Sequence, residues 1–182
     1  MTSSLRNMVL SLTGLTFAAA AILAAVNLVT AKPIAEASVK ARAEAMAAIL
    51  PPFDNDIAAT ATEMPDGQTV YTATLDGAAA GTAVETYSDN GFSGRITVLV
   101  GFDTEGILTG YRVLEHAETP GLGARMTEWF SDPTQPTRYV TGRTGTLAVR
   151  ADSGDIDAIT GATITSRAFL EALNRARKAI TD

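Results

Sequence analysis

The sequence predicts an α+β protein: one N-terminal membrane-spanning helix, then a domain with a mainly antiparallel sheet and flanking helices. Three observations predict it. Residues Asn7 to Ala31 contain no charged side chain and are mostly apolar. Between Thr69 and Glu115, alternating or apolar stretches are separated by turn residues. Near the end, Phe169, Leu170, Leu173, Ala176 and Ile180 recur close to helical spacing.

The elements follow in order. Met1 to Arg6 is a short polar start. The 25 residues from Asn7 to Ala31 give about 37 Å of helix, enough to cross a hydrocarbon core of about 30 Å. Gly14 and the alanines of this run suit close packing against other membrane helices. Val29-Thr30-Ala31 also has the small-residue look of a signal-peptide cleavage site, but the run is long for a signal peptide and reads as a retained anchor. Pro33 is expected to end this helix or open the next, which sets domain boundaries at 1–32 for the anchor and 33–182 for the domain. Ser38 to Leu50 reads as an amphipathic helix, with Val39, Ala43, Met46 and Leu50 on one face, and Pro51-Pro52 stops it. Phe53-Asp54-Asn55-Asp56 reads as a solvated turn, since two carboxylates without further ligands make no metal site.

Strands are expected at Thr69–Leu75, Gly81–Tyr87, Arg95–Phe102 and Ile107–Glu115. Ser88 to Ser93, with its Asn-Gly, is expected to be a turn. Thr146 to Arg150 is the expected last strand. A helix over Ser166 to Ile180 closes the chain, with Thr165 and Ser166 as its candidate N-caps.

Composition narrows the chemistry. The chain has no Cys and a single His, His116. Iron–sulfur clusters, thiolate zinc, disulfides and multi-histidine metal sites within this chain are therefore excluded, and no metal residue is expected. Any redox cofactor of its own is expected to be organic. A net charge of −6 argues against nucleic acid as a partner.

Two stretches carry chemistry. In Asp157-Ala-Ile-Thr160-Gly161-Ala162-Thr163-Ile-Thr165-Ser166, a Gly turn delivers a cluster of hydroxyls to a helix N-terminus. Free N–H groups and the positive end of the helix dipole favour an anion there, phosphate above all. In His116-Ala-Glu118-Thr119-Pro-Gly-Leu122-Gly123, two Gly and one Pro after a strand make a rigid loop that lets backbone approach a ligand closely. Thr119, backbone N–H groups and His116 suit the polar edge of a flat heterocycle, and Leu122 its apolar face. Trp129 and Phe130 suit either a ligand or the core. Arg125, Arg143 and Arg150 suit either a phosphate or surface ion pairs, and Asp157 has no evident redox task.

The pattern Asp157-x-x-Thr160-Gly161-Ala162-Thr163 resembles the D-x-x-[S/T]-G-A-T signature of covalently flavinylated FMN-binding domains, in which the last Thr carries FMN as a phosphoester. Glu118 to Gly123 resembles the E-T-P-G-L-G loop of the RnfG and NqrC members of that family, on the expected N-terminal side of the signature. Arg6 to Leu10 and Val26 to Ala35 resemble their N-terminal anchor. The chain is short for NqrC, so RnfG is the nearer likeness.

The resemblance implies covalent FMN on Thr163, with Thr160, Gly161, Ala162, Thr165, His116, Glu118, Thr119, Leu122 and Gly123 around it and no catalytic residue. It implies an electron-transfer subunit of an Rnf-type complex that couples ferredoxin–NAD electron transfer to ion translocation. The implied partners are the other integral-membrane and redox subunits, and a flavin transferase using FAD. It also places the flavin domain on the extracytoplasmic side of the cytoplasmic membrane. Local charge does not support that side, because Lys32, Lys40 and Arg42 follow the apolar run while Arg6 precedes it. The rival readings are a flavin carrier of another, Nqr-like complex and a non-redox membrane-anchored binding domain. A hydrolase using a Thr or Ser nucleophile with His116 lacks a convincingly spaced third group.

Overall fold

The computed structural model describes residues 4–181; the first three residues of the polar start lie outside the described residues. Contacts divide the chain into two compact units, one up to Ala41 and one from Arg42.

Helix α1 runs Leu5–Ile49. In its first unit the side chains are almost all exposed, including Leu10, Leu15, Phe17, Leu23 and Leu28. An 18-residue window there reaches a mean hydropathy of 2.2, long and apolar enough to cross a membrane. The expected break at Pro33 is absent, because Pro33 lies inside the continuous helix. Proline removes its own N–H donor and crowds the carbonyl of Val29, a local cost, but its neighbours Ala31, Lys32, Ala35, Glu36 and Ala37 are good helix formers and the helix continues past it.

The second unit is built on a five-stranded antiparallel meander, ordered β1-β2-β3-β4-β5: β1 Thr62–Glu63, β2 Thr69–Leu75, β3 Ala78–Gly91, β4 Gly94–Phe102 and β5 Leu108–Glu115. The expected turn over Ser88 to Ser93 shrinks to Phe92-Ser93, since β3 runs on to Gly91 and pairs it with Gly94. The Asn-Gly lies in an irregular stretch of strand and does not form the turn itself. The expected turn at Phe53 to Asp56 is only a bend at Asn55, and Asp54 and Asn55 bond to β2 and the residue beyond it. Asn55 accepts the Thr74 N–H at 2.9 Å and donates to the Thr72 carbonyl, and Asp54 accepts the Asp76 N–H.

The sheet is covered on both faces, which is why β4 reads as a nearly unbroken apolar run. Ile96, Val98, Val100 and Phe102 join one core with Phe130, Phe169, Leu170 and Leu173, and Leu99 joins the other with Met46, Ile49 and Tyr71. A short helix α2, Met126–Trp129, follows β5, and α3, Thr163–Thr181, lies mainly on β3 and β4. The predicted face of α3 is the buried one: Phe169, Leu170, Leu173 and Ala176 are inside, and Ile180 packs at the margin. Phe169 sits between Phe130, stacked at 4.8 Å, and Tyr111, edge-on at 4.7 Å.

The expected strand at Thr146 to Arg150 is not formed. Only Val149 makes a bridge, to Ile156. Its neighbour is a side chain instead: the Asn174 amide accepts the Leu147 N–H and donates to the Leu147 carbonyl, both at 2.8 Å. Leu147 and Val149 are buried as a strand's would be, but Asn174 of α3 takes both backbone groups of Leu147, and the Ala148 carbonyl and Arg150 N–H bond only to the single residue Ile156.

Replacing Phe169 with Ala is expected to cost about 3–5 kcal/mol, read as a lower urea midpoint for the detergent-solubilised chain. An unchanged midpoint would contradict this account of the core.

Candidate functional site

The two motifs meet. Each contains a four-residue turn of the same kind, with glycine third. In Thr119-Pro120-Gly121-Leu122 the Leu122 N–H donates to the Thr119 carbonyl at 3.2 Å, and in Ile159-Thr160-Gly161-Ala162 the Ala162 N–H donates to the Ile159 carbonyl at 2.9 Å. The third position of such a turn needs positive φ, and Gly121 and Gly161 adopt +77° and +79°. The second turn leads directly into α3, whose first residue is Thr163. The Ala162 carbonyl accepts the Ser166 N–H at 3.0 Å, so the helix starts before the expected caps.

Thr165 and Ser166 therefore have other partners. The Ser166 hydroxyl donates to the Ala162 carbonyl at 2.9 Å and accepts the Ile159 N–H at 3.0 Å, stapling the turn to the helix. The Thr165 hydroxyl donates to Glu118 Oε2 at 2.7 Å. Glu118, only 4% exposed, takes its second bond at Oε1, from the Ser93 N–H at 2.9 Å. One buried carboxylate thus joins the β3–β4 turn, the loop after β5 and the first turn of α3. There is no room for a side chain at Gly123: a Cβ there would lie 2.5 Å from Glu118 Oε2 and 2.7 Å from the Thr165 hydroxyl.

These segments enclose a cleft of about 350 Å³. It is lined by eight of the ten residues expected at the site, namely Glu118, Thr119, Leu122, Gly123, Gly161, Ala162, Thr163 and Thr165. His116 and Thr160 are exposed and do not line it. His116 instead braces the loop, its Nδ1 accepting the Glu118 N–H at 3.2 Å. Phe92 and Ile164 line the cleft and were not expected. Both carried a signal, as each is a large apolar residue in a polar turn or helix start.

The arginines considered for a phosphate are engaged elsewhere. Arg150 pairs with Asp157 at 2.8 Å, Arg143 pairs with Asp155, and Arg125 lies over the Trp129 ring. Phe130 is core, and Trp129 donates its indole N–H to the Asp157 carbonyl at 3.0 Å, outside the cleft. Among the described residues, no cationic side chain lines the cleft. The positive end there is the start of α3, whose first N–H groups have no partner within the helix. Behind the loop, the Tyr111 hydroxyl donates to the Met126 carbonyl at 2.7 Å, and burial pushes this phenol well above its ordinary range.

A second cleft, of about 440 Å³, runs along α3 past Leu147, Asp152, Arg167 and Asn174. It contains neither motif, and the Arg167–Asp152 pair at 2.7 Å spans it.

The first cleft fits a phosphorylated, flat, largely apolar cofactor. It has a hydroxyl and a helix start for the phosphate, apolar walls, and backbone exposed by glycine. Comparison with known proteins agrees. Residues 91–178, which contain both motifs, match the family described as FMN-binding domain. The chain is 40% identical over 127 residues to the G subunit of the ion-translocating oxidoreductase complex of Aliivibrio fischeri (strain MJ11), a match covering 68% of this chain and 58% of that relative. It is 36% identical over 166 residues to the corresponding protein of Escherichia coli (strain K12), covering 84% and 80%, and 34% identical over 173 residues to that of Photorhabdus laumondii, covering 84% and 78%. The chain spans about half the length of the first relatives, 58%, 52% and 50%.

Replacing Thr165 with Val keeps the shape but leaves Glu118 Oε2 without its donor. We expect a loss of about 1–3 kcal/mol in denaturant unfolding, largely restored by Thr165→Ser. A neutral Thr165→Val would mean that the Glu118 bonds do not hold the site together.

Proposed function

We propose, because the chain belongs to the family of G subunits of ion-translocating oxidoreductase complexes, that it is a membrane-anchored electron-transfer protein carrying FMN as a phosphoester on Thr163. The observation that carries this reading is the meeting of both motifs on one cleft, with the Thr163 hydroxyl at the start of a helix. In this reading residues 1–32 are the anchor and 33–182 the flavin domain, on the extracytoplasmic side. Bound FMN would supply one- and two-electron redox chemistry, so the protein can stand between carriers of either kind.

Each part of the chain has its own task. Thr163 Oγ is the attachment point: a transferase forms the Oγ–P bond using FAD, breaking the pyrophosphate bond and releasing AMP and the hydroxyl proton. The tether prevents loss of the cofactor outside the cytoplasm. The first turn of α3 offers backbone N–H groups and its dipole to the phosphate. Gly161 would allow the cofactor to approach the backbone closely, and Leu122 and Thr119 would border the ring system, while His116 and Thr160 lie off the cleft. Thr163 is an attachment site, and turnover needs no catalytic side chain from this chain.

The complex is a ferredoxin:NAD oxidoreductase of Rnf type, coupled to ion translocation and built with other membrane and redox subunits. From Asn7 to Ala31 the anchor has no ionisable residue, so the ion path belongs to those partners. An Nqr-like complex is the alternative setting for the same flavin domain, and the proteins that co-purify with the native chain distinguish the two.

Thr163→Ala is expected to abolish the in-gel flavin fluorescence of denatured protein while leaving the far-ultraviolet circular dichroism unchanged. A fluorescent Thr163→Ala band would reject the attachment site. Orientation has a direct test because the chain has no native cysteine. In intact spheroplasts a membrane-impermeant maleimide should label Thr104→Cys, in the exposed β4–β5 turn, and should reach Ser4→Cys only after permeabilisation. The reverse pattern would place the domain inside.

A further inference from the structure

We propose that Phe92 is a positioning residue for the flavin ring, the aromatic wall against which the ring system tethered at Thr163 packs. The proposal rests on the FMN reading and adds a residue that neither motif contains. Among the described residues from Arg42 onward, four large apolar side chains are exposed: Leu75, Phe92, Leu122 and Ile164. Three of the four line this one cleft. They come from three separate segments, the β3–β4 turn, the loop after β5 and the first turn of α3. Exposed apolar side chains that converge from separate segments on a concave site mark a ligand surface, whereas scattered ones do not.

Among the three, Phe92 is the most exposed, at 69%, and the only aromatic. A flat aromatic ligand gains most from a flat aromatic wall. The backbone beneath the ring is fixed. Gly91 pairs with Gly94, which leaves Phe92 and Ser93 as the turn, and the Ser93 N–H is bonded to buried Glu118 at 2.9 Å. None of the described cationic side chains lines the cleft, so a bound ring would be held by apolar packing together with backbone and hydroxyl hydrogen bonds. The same carboxylate that positions Thr165 in the first turn of α3 thus positions Phe92 across from it.

The test uses the full chain co-expressed with its flavin transferase and purified in detergent as wild type, Phe92→Ala and Phe92→Tyr. Mass spectrometry first establishes the FMN adduct in each. Two readouts then follow on the native proteins: the quenching of flavin emission by iodide, and the emission per bound flavin. A packed ring shields the flavin from iodide. A tyrosine in contact with a flavin also quenches its emission by electron transfer, which a phenylalanine does not. Phe92→Ala is therefore expected to be several-fold more readily quenched by iodide, and Phe92→Tyr to be shielded like wild type but several-fold dimmer. Equal iodide access in wild type and Phe92→Ala, or a Phe92→Tyr as bright as wild type, with the adduct present in each, would overturn the role of Phe92 and leave the FMN reading standing. Absence of the adduct from wild type would overturn the FMN reading, and this proposal with it. Phe92 is largely exposed, so its replacement should leave the fold intact, and Phe92→Tyr controls for the turn itself.

Discussion

The buried carboxylate of Glu118 is the constraint on which the site depends. A carboxylate nearly closed to solvent is costly unless its oxygens are hydrogen-bonded. Here each oxygen takes one donor, the Ser93 N–H at 2.9 Å and the Thr165 hydroxyl at 2.7 Å. The two donors lie 72 residues apart in sequence, on the β3–β4 turn and on α3. The desolvation cost is offset only when both segments are seated against the loop after β5. The carboxylate therefore acts as a registration point: if one donor is lost, the charge is left partly unsatisfied and the loop has nothing to align it.

That local registration needs a rigid support, and the packing of α3 on the sheet provides it. Phe169, Leu170, Leu173 and Ala176 anchor the helix on β3 and β4, so its N-terminal turn has a fixed place at one end of the sheet. The Ser166 hydroxyl locks the turn in front of it at two points. Thr163 is consequently presented by a helix that cannot rotate without exposing its apolar face. A covalent attachment site, as proposed for Thr163, would benefit from this arrangement, because the position of a tether limits where a ring can lie.

Much of the fold was legible from periodicity. The bounds of β2 match the alternation from Thr69 to Leu75, and the buried face of α3 is the one its spacing indicates. Where the expectation failed, the reason was either a distant side chain in a backbone role or neighbours that outweighed a local signal. Thr146 to Arg150 has the pattern of a strand, but Asn174, 27 residues away, supplies its partner, and no local pattern reports that. Pro33 looks like a stop, yet the helix continues through it, with strong helix formers on both sides of the local break in bonding and packing. Thr165 and Ser166 have the residue types of caps, but the helix begins earlier and their hydroxyls are committed to Glu118 and to the preceding turn. The site was legible where turn chemistry carries it, in the paired turns at Gly121 and Gly161. Phe92 carried only a partial signal: a large apolar residue in a hairpin turn stands out, but the sequence does not say which surface it will meet.

The most direct test of the central claim is peptide mapping of the natively expressed protein. Trypsin should release Ala151–Arg167, which contains Thr160, Thr163, Thr165 and Ser166. The account predicts that this peptide is heavier by one FMN phosphoester, and that fragment ions place the group on Thr163. An unmodified peptide from cells with an active flavin transferase, or a flavin on any other residue, would contradict it.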